Sequence, residues 1–277
     1  MRPTEQIIFA SLRDDILLLF TERWGVDLPM KFSIPERPVD RVDYAVVLAP
    51  EAVSATRSDA DRLHFMLAVT DLVAGYGKRP LARLEALEVK AGEAAVLTGP
   101  SGAGKTTLLL AIAGLADRLS GHIAIGDEDV SALDARSRDK HRGRHIGLIF
   151  QDLHLIPGLS TIDNLMLAPY ASGAPADRDR ATALLNRLGL GDRRRAAADT
   201  LSRGEAQRAA IARATLLHPQ LILADEPTAS LDDEACEAVL ELLVEVTQTS
   251  GAALLIATHD SRVKARIGHV AVAESAA

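Results

Sequence analysis

The chain has 277 residues, of which 48% are hydrophobic, 25% charged and only 3% aromatic, with a formal net charge of −7 and a single cysteine, Cys236. The acidic balance argues against a general nucleic-acid binder, and no apolar run approaches the ~20 residues that span a bilayer, so any channel must belong to another chain. One cysteine excludes an internal disulfide and suits a reducing compartment, and no cleavable secretory signal is expected because Asp14 and Asp15 interrupt the first apolar stretch.

Organisation along the chain is uneven. Six of the nine aromatic residues (Phe9, Phe20, Trp24, Phe32, Tyr44 and Phe65) fall before Met66. Within this stretch, Ile8, Leu12, Ile16 and Leu19 lie on one face of a predicted helix over 5–22. Pro29, Pro35 and Pro38 punctuate the segment after it, and a short strand-like run occupies 44–48. Two readings compete for residues 1–65: an accessory element packing on the rest, or a stretch upstream of a start at Met66. Catalysis is not expected to need it.

From Met66 the pattern predicts strands at 67–73, 82–90 and 93–98, a helix over 107–113 and a strand at 121–126. The basic cluster 136–145 reads as a solvated loop leading to a strand at 146–150. A mostly helical insertion is expected over 152–215. A buried strand at 221–225, a helix over 233–249 and a strand at 252–257 complete a parallel core. Cys236 falls in that last helix as a buried structural thiol.

Chemistry enters at Gly99-Pro100-Ser101-Gly102-Ala103-Gly104-Lys105-Thr106, which fits G-x-x-x-x-G-K-[ST] and lies between an apolar run and a helix. Glycines let backbone N–H groups close around phosphate oxygens without a Cβ in the way, and the helix N-terminus adds its positive dipole end. Lys105 is expected to reach the β- and γ-phosphates of a nucleoside triphosphate, and Thr106 to place its hydroxyl on Mg²⁺. Asp225, ending an apolar strand, is placed to hold Mg²⁺ through water, and Glu226 to polarise an attacking water.

Between these lies Leu201-Ser202-Arg203-Gly204-Glu205 before a helical run. Here the sequence resembles an ATP-binding-cassette (ABC) ATPase, from about Met66 to Val272. The family's motifs occur in order: Tyr76, 29 residues before Lys105; the phosphate loop; Gln151; the Leu-Ser-x-Gly signature; Asp225-Glu226; Ser230-Leu231-Asp232; and His259. The resemblance implies an α/β fold: a phosphate-loop core with a mixed, mostly parallel sheet, a small antiparallel β subdomain and an inserted helical subdomain. It implies ATP hydrolysis with Mg²⁺, adenine stacked on Tyr76, and phosphates held by the loop and Thr107. Glu226, His259 and Gln151 would carry catalysis, with Thr106, Gln151 and Asp225 around the metal. It also implies a head-to-tail dimer with itself or a second ABC ATPase. In that dimer Ser202, Arg203, Gly204, Glu205 and Asp232 act on the opposite subunit's nucleotide.

Stretches around Gln151, 164–167 and 224–232 look like the lipoprotein-release, macrolide-export and cell-division group, whose ATPases work with separately encoded membrane permeases. That places the chain at the inner face of the cell membrane, with no nucleic-acid partner expected. An amino-acid-import ATPase is the transporter alternative. Repair or translation ATPases carry long insertions or paired cassettes that do not fit, and a small-molecule kinase would not need the signature or His259. The sequence leaves the family at Arg203, where the usual residue is glycine. A long cation there either contacts the opposing triphosphate, faces solvent, or lowers activity as in the weakened site of an asymmetric dimer; retained activity is favoured because Glu226, Gln151 and His259 are all intact.

Overall fold

The computed structural model describes residues 65–229 and 231–276. The predicted helix over 5–22 and the run 44–48 lie outside the described residues. Two sheets of five strands organise the rest.

The first sheet begins with a long hairpin, β1 (Phe65–Tyr76) and β2 (Arg79–Lys90). Both strands extend beyond the predicted 67–73 and 82–90, meeting at a turn where Gly77 takes φ 61°, a conformation that costs glycine nothing. β4 (Asp117–Ile125) pairs antiparallel with β1 and starts four residues before the expected 121. β5 (Glu128–Asp129) and β10 (Glu274–Ser275) complete the order β10-β2-β1-β4-β5.

The second sheet is parallel, in the order β6 (Ile146–Ile149), β7 (Leu221–Asp225), β8 (Ala253–Ala257), β3 (Ala94–Thr98), β9 (Val270–Val272). All five residues of β7 and all five of β8 are buried, as a strand covered on both faces requires. Successive side chains alternate between two cores. Leu221, Leu223, Leu255 and Leu97 pack with the first sheet and with α1 (Lys105–Ile112), which lies among their side chains. Ile222, Leu254, Ile256 and Val96 face the other way, against α6 (Asp233–Ser250) and α7 (Ser261–Ile267). α1 is apolar nearly all round, with Leu108, Leu109, Leu110, Ala111 and Ile112 buried, the mark of a helix enclosed by protein. Cys236 is buried in α6, and burial pushes its thiol pKa up, so it is inert packing.

The helical insertion is present as expected: α3 (Thr161–Ser172), α4 (Arg178–Arg187), two short 3₁₀ turns and α5 (Arg203–Thr215). It has a core of its own, built on Ile162, Leu165, Leu185, Leu188 and Leu190. α5 belongs to both bodies: Ala209 and Ala212 face the insertion's core, whereas Ile211 packs against the parallel sheet.

One expectation is corrected. Residues 136–145 are not a loop but lie in helix α2 (Ala135–His145), begun by the Asp134 carboxylate accepting from Ser137 N at 2.7 Å. None of its residues is buried, so it carries no apolar stripe that periodicity could detect. After His259 come α7, β9 and β10, with β9 extending the parallel sheet and β10 closing the edge of the antiparallel one.

Candidate functional site

Parallel registers set the C-terminal strand ends at one level. Ile149 pairs with Ala224, Asp225 with Ala257, and Leu97 with Ala257. The phosphate loop, Gln151, the Asp225-Glu226 pair and His259 therefore leave the sheet at its same edge, where parallel α/β sheets bind ligands.

The loop after β3 turns back on itself through Ala103 N donating to Pro100 O at 3.1 Å. Gly102 and Gly104 take φ 82° and 80°, and a Cβ on Gly104 would sit 2.5 Å from the Ala82 side chain, so only glycine fits there. Gly104 begins α1 with no side-chain cap. The helix's first N–H groups are thus left to whatever the loop holds. Lys105 is largely buried, its Nζ donating to Gly99 O at 3.1 Å and Pro100 O at 3.3 Å. Pro100, Ser101 and Gly102 are exposed at the mouth, while Thr107 is turned into the protein.

Thr106 Oγ1 donates to Asp225 Oδ2 at 2.8 Å, joining residues 119 apart in sequence. A hydroxyl and a carboxylate side by side beside an anion-binding loop form an oxygen donor set that suits a hard divalent cation.

Glu226 comes next with φ 47°, a region non-glycine residues rarely occupy and one that needs support. Support comes from its N–H donating to Ala257 O at 2.8 Å, from Thr258 Oγ1 donating to Oε2 at 2.7 Å, and from His259 Nδ1 lying 2.8 Å from Oε1. Both carboxylate oxygens are held. The Glu226 side chain is 15% exposed against 74% for His259, so the acid is anchored and the imidazole reaches outward.

A polar lattice behind these residues escaped sequence reasoning. Thr228 Oγ1 donates to Asp260 Oδ2 at 3.0 Å, and Arg262 grips Asp260 at 2.8 Å, Asp233 at 2.6 Å and the Leu231 carbonyl at 3.4 Å. The Arg262 guanidinium holds the Asp260 carboxyl down at about 2. Arg213, half-buried on α5, donates to the carbonyls of Leu153 (2.8 Å) and His154, just past Gln151. Desolvation lowers its pKa to about 10, so it remains a cation. Gln151 itself is exposed, and Tyr76 is half-buried at the end of β1, beside a turn secured by Gly77 N donating to Asp117 Oδ2 at 2.7 Å.

The signature residues stand apart from the loop. Ser202 Oγ accepts from Glu205 N at 3.3 Å, and Glu205 Oε2 accepts from Ser202 N at 2.8 Å. This reciprocal capping box starts α5, and the S-x-x-E spacing could have announced it. Glu205 also pairs with Arg193 at 3.1 Å. Asp232 caps α6 through Ala235 N at 2.8 Å. Arg203 is exposed, and its guanidinium donates to the Ala229 carbonyl of its own chain at 2.9 Å. Among the described residues, no hydrogen bond or ion pair joins 202–205 to the loop 99–107.

Comparison with known proteins agrees with this geometry. The family model described as ABC transporter matches residues 85–229. A lipoprotein-releasing system ATP-binding protein, LolD 1, of Rhodopirellula baltica is 41% identical over 200 residues, covering 70% of this chain and 87% of that protein. LolD of Paramagnetospirillum magneticum is 42% identical over 66% of this chain and 82% of its own length. Among solved structures, the dimeric post-hydrolysis state of the ATP-binding cassette MJ0796, bound to ADP and Pi, is similar with a TM-score of 0.64. That match has 31% identity and covers 76% of this chain and 94% of the other. On these grounds the chain belongs to the ABC transporter family, as an ATP-binding subunit that hydrolyses ATP.

Proposed function

We propose that this chain is the ATPase of a lipoprotein-release type transporter, working as a head-to-tail dimer on the inner face of the cell membrane and driving a separately encoded permease. The observation that carries the reading is the fixed Glu226, held by Thr258 and His259 beside the Thr106–Asp225 pair. The similarity to LolD proteins supports the transporter type. Among the described residues no helix is long and apolar enough to cross a membrane, so the membrane path is assigned to the permease.

The roles derive from the groups present. Gly99, Ser101, Gly102 and Gly104 offer backbone N–H groups to the phosphates, with Thr107 and the first turn of α1 behind them. Lys105 leaves its two carbonyls for the β- and γ-phosphate oxygens, exchanging weak neutral acceptors for charged ones. Thr106, Asp225 and Gln151 would hold Mg²⁺, which would supply neutralisation of phosphate charge. Glu226 orients the attacking water. His259, the outward-reaching partner of Glu226, contacts the γ-phosphate, so arrival of the phosphate redirects the imidazole from the carboxylate. Tyr76 stacks on adenine. From the opposite subunit come Ser202, the amides near Gly204, and Asp232. The gain comes from positioning and electrostatics rather than covalent chemistry.

The test is reconstitution. In proteoliposomes holding the chain with its permease, ATP should release a bound lipoprotein into the soluble fraction. ATP-driven accumulation of an amino acid instead would move the assignment to import and contradict the proposal.

A further inference from the structure

Arg203 stands at the first position of α5, where a cation opposes the helix dipole. The acid of that first turn, Glu205, does not neutralise it, being paired with Arg193 at 3.1 Å and with the Ser202 amide at 2.8 Å. Its guanidinium instead meets the Ala229 carbonyl at 2.9 Å, 26 residues along the chain.

Ala229 closes the turn that begins at the catalytic candidate, its N–H donating to Glu226 O at 3.1 Å. The other side-chain anchors of this turn run to 258–262: Thr258 and His259 on Glu226, Asp260 on Thr228, Arg262 on Leu231. Those anchors belong to the parallel-sheet body. Arg203 is rooted instead at the start of α5, the helix that the insertion's core shares with the parallel-sheet body.

We propose that Arg203 is a positioning residue that ties the signature end of α5 to the turn carrying Glu226 within one subunit. Movement of the insertion then carries the turn with it, and Glu226 reaches its working position only when the signature helix reaches its own. The arginine acts through the Ala229 carbonyl and does not touch nucleotide. The catalytic consequence rests on the role proposed above for Glu226; the contact itself does not.

The test uses the full chain with Arg203→Ala, Arg203→Gly and Arg203→Lys. Hydrogen exchange of the 226–233 peptide without nucleotide should quicken in the alanine and glycine variants and stay near wild type in the lysine variant. In steady-state ATPase, kcat should fall about three- to tenfold in the first two, with KM for ATP changed less than about twofold, and lysine should restore at least about half of kcat. Unchanged exchange overturns the contact, and faster exchange with unchanged kcat overturns the coupling. A raised KM at constant kcat would show Arg203 to be a nucleotide ligand, and a rise in kcat would show it to be a brake; either result overturns the proposal. A Glu226→Gln chain that still turns over normally would remove the catalytic assignment of that residue, whereas the exchange result would still decide the contact.

Discussion

α1 and α5 both begin at glycine-containing segments, and their N-termini are finished in opposite ways. α1 starts from Gly104 in a left-handed conformation with no side-chain cap, next to a lysine folded onto two carbonyls. α5 starts from a complete capping box in which Ser202 and Glu205 satisfy each other's backbone. An uncapped N-terminus inside a glycine loop is an anion site that one chain can supply alone. A capped one has its first N–H groups already satisfied within the chain. The asymmetry fits the proposal that the two N-termini are halves of one site completed between two subunits.

The largest effect should come from the uncapped end. Lys105→Ala removes the cation facing the β- and γ-phosphates, and ATPase should fall by about 100-fold or more, roughly 2.7 kcal/mol of barrier. Steady-state turnover measures this, and activity near wild type would break the assignment of α1 as the phosphate site.

Next is the anchor that Arg213 on α5 gives the segment after Gln151. Arg213→Met strands the Leu153 and His154 carbonyls, and hydrogen bonds to charged groups are worth about 1.5–3 kcal/mol. The urea midpoint should drop accordingly, together with activity, because the segment after Gln151 loses its anchor. A midpoint equal to wild type would show that α5 does not hold that segment.

Ser202 sharpens the comparison further. Ser202→Ala should cost about 1 kcal/mol of stability through the lost cap. Ser202→Asp, also a good cap, should restore the stability. If α5 serves a triphosphate in trans, aspartate should nonetheless leave turnover low, because its carboxylate repels the phosphate. Recovery of both properties would mean that Ser202 only caps its helix.

The smallest effect concerns acid. The folded pKa of Asp260 is about 2, below the ~3.9 of an unperturbed aspartate. Stabilisation from its pairing is therefore fully present above about pH 4 and is lost as pH falls through about 2. Chemical-denaturation midpoints across that range should show a shallower acid decline in Asp260→Asn than in the wild-type chain. An identical slope would contradict the role given to Arg262.

The parallel core and the phosphate loop are legible in the sequence because their signals are continuous. 221–226 is an apolar run ending in two carboxylates, and 99–106 is a complete loop pattern. α2 is not legible because no residue of it is buried, leaving only charges to read. β9 and β10 are three and two residues long, too short for periodicity. The threonines that position Glu226 and Asp260 each act across 32 residues, and no local pattern reports such a pairing. The capping role of Glu205 is in plain sight as S-x-x-E, but the family motif points that residue at the opposite subunit's nucleotide and so hides the simpler local role.

The central claim is that the two helix N-termini complete one site only between two chains. Glu226→Gln tests it most directly, since it keeps the shape of the side chain and removes the charge that orients water. With Mg²⁺ and ATP, the variant should bind nucleotide, hydrolyse it slowly and elute from gel filtration as a dimer, and the dimer should dissociate when Ser202→Asp is added. A variant that binds ATP yet elutes only as a monomer would contradict the account.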